Sequence, residues 1–438
     1  MTELLCSTSQ ATWVWMTMHK GKFVFAQLKE HLPRSVFDRC VARYAGSHAP
    51  LKFSHWDQLL CMMFAQLTSR EGLRDITTCL RSQAGKLYYA GIHGSIARST
   101  LADANERRDC RIYEDFALHL IGVARGLYRN DSLSLELKQS VYAIDASTIE
   151  LCLQLFKWAP AANAKAGIKL HTMLDLRGSI PTVVRITPAL VSDASFLDDL
   201  PLEVGSFYVM DRGYIHFARL IRFTHAAAFF VIRSMDKLKY EVVSNCEVDQ
   251  PEILSDTHIL MHGRYTKVDY PLTLRRIEFF DAEHDRVLTF LTNNFELKAT
   301  QVASLYKSRW QVELFFKWIK QNLRIKAFMG NSINAVKPQI WIAIATYVLV
   351  AIIRKRMHLS ASLHTILQVL SLSLFDRISI TQLILLCYLI GPSRTRRQQG
   401  HRGRLRARSE PIRSRKLVIE DGTWRCVRWA SARFVMRG

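Results

Sequence analysis

An α/β fold, with a mixed sheet preceded by a helical amino-terminal region and followed by a helical carboxy-terminal one, is what this sequence predicts. Three observations carry that expectation. From about residue 20 to 135 apolar positions recur at helical spacing, near residue 140 the period shortens to that of strands, and from 338 to 390 it is helical again. The strand-like runs are VYAIDAST, IKLHTMLDL, TVVRITP, FYVMD and AFFVIRS, each β-branched or aromatic and bounded by Gly, Pro, Ser or Asp. A helix-like stretch over 215–225 lies between the last two, and a further strand, RVLTFLTNN at 286–294, precedes a long helix over about 300–323. Strands first and helices interleaved later suit a mixed sheet. Between 236 and 285, runs such as EVVSN and YPLTLRRIEFF read as a β-rich insertion in the same domain.

In the amino-terminal region, 56–67 is strongly apolar, and SREGLRDITTCL from Ser69 suits a helix start near a turn at Gly72. GIHGSIARSTLADANERRD then offers a glycine-containing turn and Ser99 as an N-cap, with Arg98 before it and Asn105, Arg107 and Arg108 on the helix after it. Two readings stand side by side: the DNA-contacting half of a helix-turn-helix, or a solvated helix of an ordinary bundle.

The chain has 438 residues, enough for two or three structural units. Its net charge of +22 favours a polyanionic partner, nucleic acid first and an anionic membrane surface second. Nine cysteines with no C-x-x-C pair argue against zinc ligation or a disulfide framework and for reduced thiols in the cytosol. No secretory signal is evident, and the longest apolar run, 340–353, is 14 residues, better suited to a buried helix than to a membrane span. No G-x-x-x-x-G-K-[ST] loop occurs, which disfavours a nucleotide-hydrolysing enzyme. Residues 391–438 hold fourteen Lys plus Arg, thirteen of them Arg, against three Asp plus Glu, half the charge of the chain. Such a segment is expected to be disordered alone.

Asp145 follows the apolar VYAI and precedes small residues, and Asp211 follows FYVM and precedes Arg212-Gly213-Tyr214. A carboxylate at the end of a buried strand is costly unless paired, hydrogen-bonded or metal-bound. Taken singly, each is as readily read as a cap on the next turn; two in one sheet suggest a shared site. At 100° per residue, Tyr306, Arg309, Glu313 and Lys320 fall within an arc of roughly 60° on the helix that follows. Pairing of Arg309 with Glu313 on a solvated face is the alternative, and it gives Tyr306 no role. Phosphodiester chemistry needs an activated oxygen nucleophile and a stabilised leaving alkoxide, which two divalent ions can provide. Mg²⁺ takes oxygen ligands and keeps several waters, so a few carboxylates suffice. Arg309 and Lys320 would hold a phosphate, Tyr306 would donate to it, and Trp310 would stack on an unpaired base.

The spacing Tyr306-x2-Arg309-x3-Glu313-x6-Lys320 resembles the Y-R-E-K signature of the IS4-family DDE transposases, with Asp211-Arg212-Gly213-Tyr214 and VYAIDAST similar to its two aspartate blocks. The resemblance runs from about 21 to 389. It implies a ribonuclease-H-like catalytic fold with a β-rich insertion, cut-and-paste transposition of an insertion sequence, and action as a homodimer on double-stranded DNA at the terminal inverted repeats and the target. It further implies Asp145, Asp211 and Glu313 as ligands of two Mg²⁺ ions, with Mn²⁺ as the alternative, and Tyr306, Arg309 and Lys320 on end phosphates. Residues 1–18 are then an extension, 19–138 a helical DNA-binding domain, 139–330 the catalytic domain with its insertion at 236–285, 331–390 a helical region and 391–438 an Arg-rich tail. Location is expected to be cytoplasmic and nucleoid-associated in a bacterium.

Two departures from the family pattern are the tail, expected to stem from a frameshift or truncation after about Ile390, and the amino-terminal extension, where Met16 or Met18 is an alternative start. They keep open a protein that binds DNA ends without moving them. Binding to DNA should weaken steeply with salt as phosphate neutralisation releases counterions. Deleting 391–438 should flatten a plot of log affinity against log salt; an unchanged slope would show that the tail takes no part.

Overall fold

The run Phe207–Met210 is buried at every residue, as a strand covered on both faces must be. It lies inside a nine-stranded mixed sheet of the computed structural model, which describes residues 21–46, 52–93, 96–131, 133, 137–152, 154–159, 166–322, 328–389, 416–420 and 423–427. In chain order the strands are β1 (Val141–Leu151), β2 (Ala166–Asp175), β3 (Ile180–Pro188), β4 (Phe207–Met210), β5 (Phe229–Arg233), β6 (Tyr240–Asn245), β7 (Ile253–Met261), β8 (Leu274–Asp281) and β9 (Arg286–Thr292), in the spatial order β3-β2-β1-β4-β5-β9-β8-β7-β6. β1, β2 and β3 pair antiparallel, and β4 and β5 run parallel to β1. That 3-2-1-4-5 order is the ribonuclease-H-like half. The insertion is not a separate lobe: β9 joins β5, and β8, β7 and β6 continue the same sheet outward.

Side-chain alternation gives the sheet two different faces. Tyr142, Ile144, Tyr208 and Met210 pack with Phe196 of a 3₁₀ turn and with Leu220 and Phe223 of the helix Phe217–His225. Val141, Ala143, Phe207 and Val209 join a larger core with the helices of both chain ends. The amino-terminal helices are α1 (Val24–Glu30), α2 (Arg34–Tyr44), α3 (His55–Leu67), α4 (Leu73–Ser82), α5 (Ala84–Ala90), α6 (Arg98–Arg107) and α7 (Arg111–Tyr128); α8 is Phe217–His225 and α9 the short Thr266–Asp269. Then come α10 (Ala299–Ser308), α11 (Trp310–Asn322), α12 (Ile333–Arg356), α13 (Leu363–Ser373) and α14 (Ile380–Leu389).

α12 is apolar on all sides because it is surrounded: it packs against α3, α6, α7 and α13. By length and composition it could cross a membrane, but 94% of its apolar window is buried inside the fold. The regions expected as separate at 19–138, 139–330 and 331–390 therefore share one core and form one unit. The second unit, 391–438, was expected to be disordered; the structure corrects this for ten residues, since β10 (Lys416–Glu420) and β11 (Thr423–Val427) pair antiparallel.

Two further expectations change in detail. α6 begins at Arg98 after Ala97, with no side-chain cap, so Ser99 is not its N-cap. The long helix expected over 300–323 is broken between Ser308 and Trp310, with Arg309 at the break.

The β2–β3 turn is fixed against α7. Gly178 has φ +74°, and a Cβ there would lie 2.2 Å from the Tyr128 ring. Tyr128 in turn donates to the Ala351 carbonyl of α12 at 2.9 Å. Gly178→Ala should thus destabilise the fold by about 2–3 kcal/mol, combining a strained backbone with a clash. Chemical denaturation measures it, and a loss below about 0.5 kcal/mol would mean that the hairpin simply shifts.

Candidate active site

The pairing of β1 with β4 decides where the two aspartates lie. Ile144 is opposite Met210, so the next residues, Asp145 and Asp211, come side by side where β4 ends. Adjacent strands are about 4.8 Å apart, which brings the two carboxylates into one field. Asp145 does not end its strand as expected, since β1 continues to Leu151 against β2; what ends there is its parallel neighbour. Nor does either residue serve as a simple turn cap. Asp211 makes no side-chain cap bond to the 3₁₀ turn that follows, and the Asp145 Oδ1 accepts from the adjoining Ala146 amide at 2.8 Å.

α10 and α11 lay the remaining side chains over this rim. The Tyr306 hydroxyl donates to Asp211 Oδ1 at 3.0 Å, its ring tilted on Phe290 at 4.8 Å. Arg309 reaches Asp145 Oδ2 with Nη1 at 3.2 Å and Glu313 Oε1 with Nη2 at 2.6 Å. Lys320 Nζ donates to the Thr148 carbonyl of β1 at 2.8 Å. The four residues of the spaced signature thus all face β1 and β4, although the helix carrying them is interrupted. Trp310 is 57% exposed beside them, and Leu314 is likewise exposed.

The surrounding structure holds these helices from three sides. Arg275 of β8 pairs with Asp256 of β7 at 2.6 and 2.9 Å, both buried, and donates to the Leu297 carbonyl just before α10 at 2.5 Å. Phe315 and Trp318 pack edge-on against Tyr347 of α12. Tyr347 donates to the Ser179 carbonyl, and the Ser179 hydroxyl donates to Gln311 of α11 at 3.1 Å.

The electrostatics follow from crowding. Burial, joined by Glu313 and Asp211, pushes Asp145 up to about 6 against the pull of the Ala146 amide and Arg309. Burial works against the charge on Arg309, yet Tyr306, Asp145 and Glu313 together raise it above its ordinary value. Burial, then Asp211, pushes Tyr306 up to about 12.

Sequence reasoning quoted Tyr214 but gave it no role. Its phenol is 2% exposed with no hydrogen-bond partner among the described residues, and burial, then Asp145 and Asp193, raises it well above the ordinary range. Thr172, directly across from Asp145 on β2, also has a buried hydroxyl without such a partner. Only the antiparallel register could have found Thr172.

The amino-terminal candidates divide. Asn105 is 2% exposed and accepts from Gln58 at 2.7 Å. Arg108 donates to the Ser54 carbonyl and Gln58 at 2.8 and 2.9 Å and to the Phe53 carbonyl. These bonds tie α3 to α6 and to the start of α7; Asn105 is buried there, while Arg108 is half-buried and lines an open cavity with Arg107 and His55. Arg98 and Arg107 are exposed. Among the described residues, the group of three ligand types gathered within 4.8 Å is Asp281, Glu283 and His284 on the β8–β9 turn, not the triad. Asp281 there is already taken up by His284, Arg286 and Lys307, so the group reads as an ion-paired turn.

A ribonuclease-H-like sheet with carboxylates gathered at the β1–β4 rim and a Y-R-E-K helix across it defines a phosphoryl-transfer enzyme of the DDE type. Residues 136–349 match the family model described as Transposase DDE domain, and 20–93 that described as Domain of unknown function (DUF4372). The putative transposase y4zB of Sinorhizobium fredii (strain NBRC 101917 / NGR234) is 34% identical over 258 residues, 58% of this chain and 70% of that one. The probable transposase for insertion sequence element IS5377 of Geobacillus stearothermophilus is 29% identical over 50% of this chain and 58% of its own. The putative transposase for insertion sequence element IS4SA of Synechocystis sp. (strain ATCC 27184 / PCC 6803 / Kazusa) is 22% identical over 63% and 77%. This chain belongs to the IS4-family DDE transposases, enzymes of insertion sequences that act on DNA.

Asp145 supplies a pH test. Its folded value lies above the ordinary 3.8, so the stability that its proton contributes is fully present below that value and is lost as pH rises through about 6. In EDTA, Asp145→Asn should melt above the wild type at pH 7.5, with the gap closing as pH falls toward 4. A gap that stays constant across that range would rule out a strained Asp145 carboxylate.

Proposed function

We propose that Asp145, Asp211 and Glu313 are the catalytic carboxylates of a cut-and-paste transposase and hold two divalent ions, Mg²⁺ or alternatively Mn²⁺. The observation that carries this reading is the side-by-side placement of Asp145 and Asp211 by strand register, with Glu313 brought to the same rim through Arg309. The residues fit the ions: three hard oxygen donors face a single guanidinium, leaving a formal charge of −2 for cations to balance. Bound there, the ions would activate the attacking oxygen and stabilise the leaving alkoxide.

The chain's own residues bind and orient DNA. Arg309 and Lys320 take phosphates at the transposon end, Arg309 through a two-pronged contact, and Tyr306 donates a hydrogen bond to the same backbone. Exposed Trp310 stacks on an unpaired base. Arg98 and Arg107 add phosphate contacts from the helical amino-terminal region. In the first step a water oxygen attacks the phosphorus and the 3′-oxygen leaves with a proton. That 3′-hydroxyl attacks the opposite strand, closing a hairpin and releasing the flank. Water reopens the hairpin, and the freed 3′-hydroxyl attacks target DNA, joining one strand for each bond broken. Two copies acting on paired inverted repeats would complete the reaction, in the bacterial cytoplasm at the nucleoid.

Incubating the protein with its element's end DNA and Mg²⁺, beside Glu313→Gln, tests this. Nicked and hairpin products should appear with the wild type and fall by about a hundredfold or more with the variant. Binding without cleavage by the wild type would instead identify a protein that only recognises ends.

A further inference from the structure

All three rim carboxylates are already engaged by side chains that the proposed function assigns to DNA. Arg309 bridges Asp145 and Glu313 at 3.2 and 2.6 Å, and Tyr306 holds Asp211 at 3.0 Å. The two latching residues support each other, with the guanidinium carbon 5.6 Å from the Tyr306 ring centre. Arg309 is 14% exposed, and its Nε is buried with no hydrogen-bond partner among the described residues. One guanidinium cannot bridge two carboxylates and grip a phosphate with the same two nitrogens.

Geometry shows what the bridge does to the carboxylates. The triad is not among the groups whose ligand atoms gather within 4.8 Å of one another. A guanidinium lies between Asp145 and Glu313, where ions that both residues hold would have to enter. Arg309 also occupies the break between α10 and α11, its amide bonded back to the Tyr306 carbonyl at 3.1 Å in a tight turn.

We infer that Arg309 and Tyr306 form a latch that holds the triad closed until a DNA phosphate draws them away, so that DNA and divalent metal bind with positive coupling. This rests on the triad being the metal site. A phosphate matches a carboxylate as a partner for the guanidinium fork, so the exchange conserves the charged contacts of Arg309. The carboxylates left behind, at formal charge −3, are unstable together until cations arrive. Removal of Arg309 and entry of metal therefore favour each other, and linkage makes the effect reciprocal.

The test is Mn²⁺ binding, read from the electron-spin resonance signal of the free ion, on the full-length protein without DNA. Arg309→Met should bind Mn²⁺ about tenfold or more tightly than the wild type. Tyr306→Phe, which loses one hydrogen bond and keeps its ring, should bind about threefold tighter and serves if the Arg309 variant fails to fold by circular dichroism. Arg309→Lys keeps the charge but has one nitrogen; binding tighter than wild type there separates loss of the bridge from loss of charge. Adding end duplex to the wild type, with the ion bound by duplex alone subtracted, should tighten Mn²⁺ binding, and Arg309→Met should lose that gain. Variants no tighter than wild type, while Glu313→Gln abolishes binding, would overturn the latch and leave the triad as the metal site. No saturable Mn²⁺ on any protein, with or without DNA, would remove the metal site and the latch together.

Discussion

Placing carboxylates side by side at the rim of a buried sheet is costly, and the structure is arranged around that cost. The β1–β4 register leaves Asp145 and Asp211 no freedom to separate, because moving either means slipping a strand whose side chains fill two cores. Relief has to come from above, and Arg309 provides it as the cation between Asp145 and Glu313. A largely buried arginine with two carboxylates and a neighbouring phenol is far better compensated than any of those groups would be alone.

Compensation needs α10 and α11 laid over the rim, and three parts of the architecture hold those helices there. The sheet extension contributes through the buried Arg275–Asp256 pair, which fixes the Leu297 carbonyl at the entry to α10. The carboxy-terminal helices contribute through Tyr347, which packs under α11 and bonds to the β2–β3 turn. Amino-terminal α7 contributes through Tyr128, lying against Gly178 of the same turn. Helices from both ends of the chain and the late strands thus converge on one helix pair, which explains why they share a core instead of forming separate domains.

What could be read from the sequence was the part governed by local pattern. The strand runs, the all-round apolar helix and the spaced Tyr306, Arg309, Glu313 and Lys320 depend on near neighbours, and the structure brings those four residues to the expected rim. What could not be read depended on partners distant in the chain. Asp145 reads as a strand end because small residues follow it, whereas β2 carries the strand on to Leu151. Asn105 and Arg108 read as surface residues because polar helical positions usually are; instead Gln58, about fifty residues earlier, donates to Asn105, and Gln58 and the carbonyl before α3 accept from Arg108. The hydroxyls of Tyr214 and Thr172 gain meaning only when β1, β2 and β4 are seen together.

The internal bonds of Arg108 show how charge in this protein should be weighed. Half of the net +22 belongs to residues 391–438, leaving the other half spread over the first 390. Within that larger unit many cations are committed: Arg108 and Arg177 to carbonyls, Arg275 to Asp256, Arg309 to the triad. Such arginines do not add freely to a field that attracts DNA. Arg309 is the informative case, because its present partners are carboxylates and its proposed partner is another anion of matching geometry. Its charge does not change in the exchange; what changes is which anion it neutralises. Under the proposed exchange, a site whose arginine neutralises carboxylates offers DNA little charge, and it would become well matched once cations took over that task, so that its readiness would depend on the arrival of both ligands.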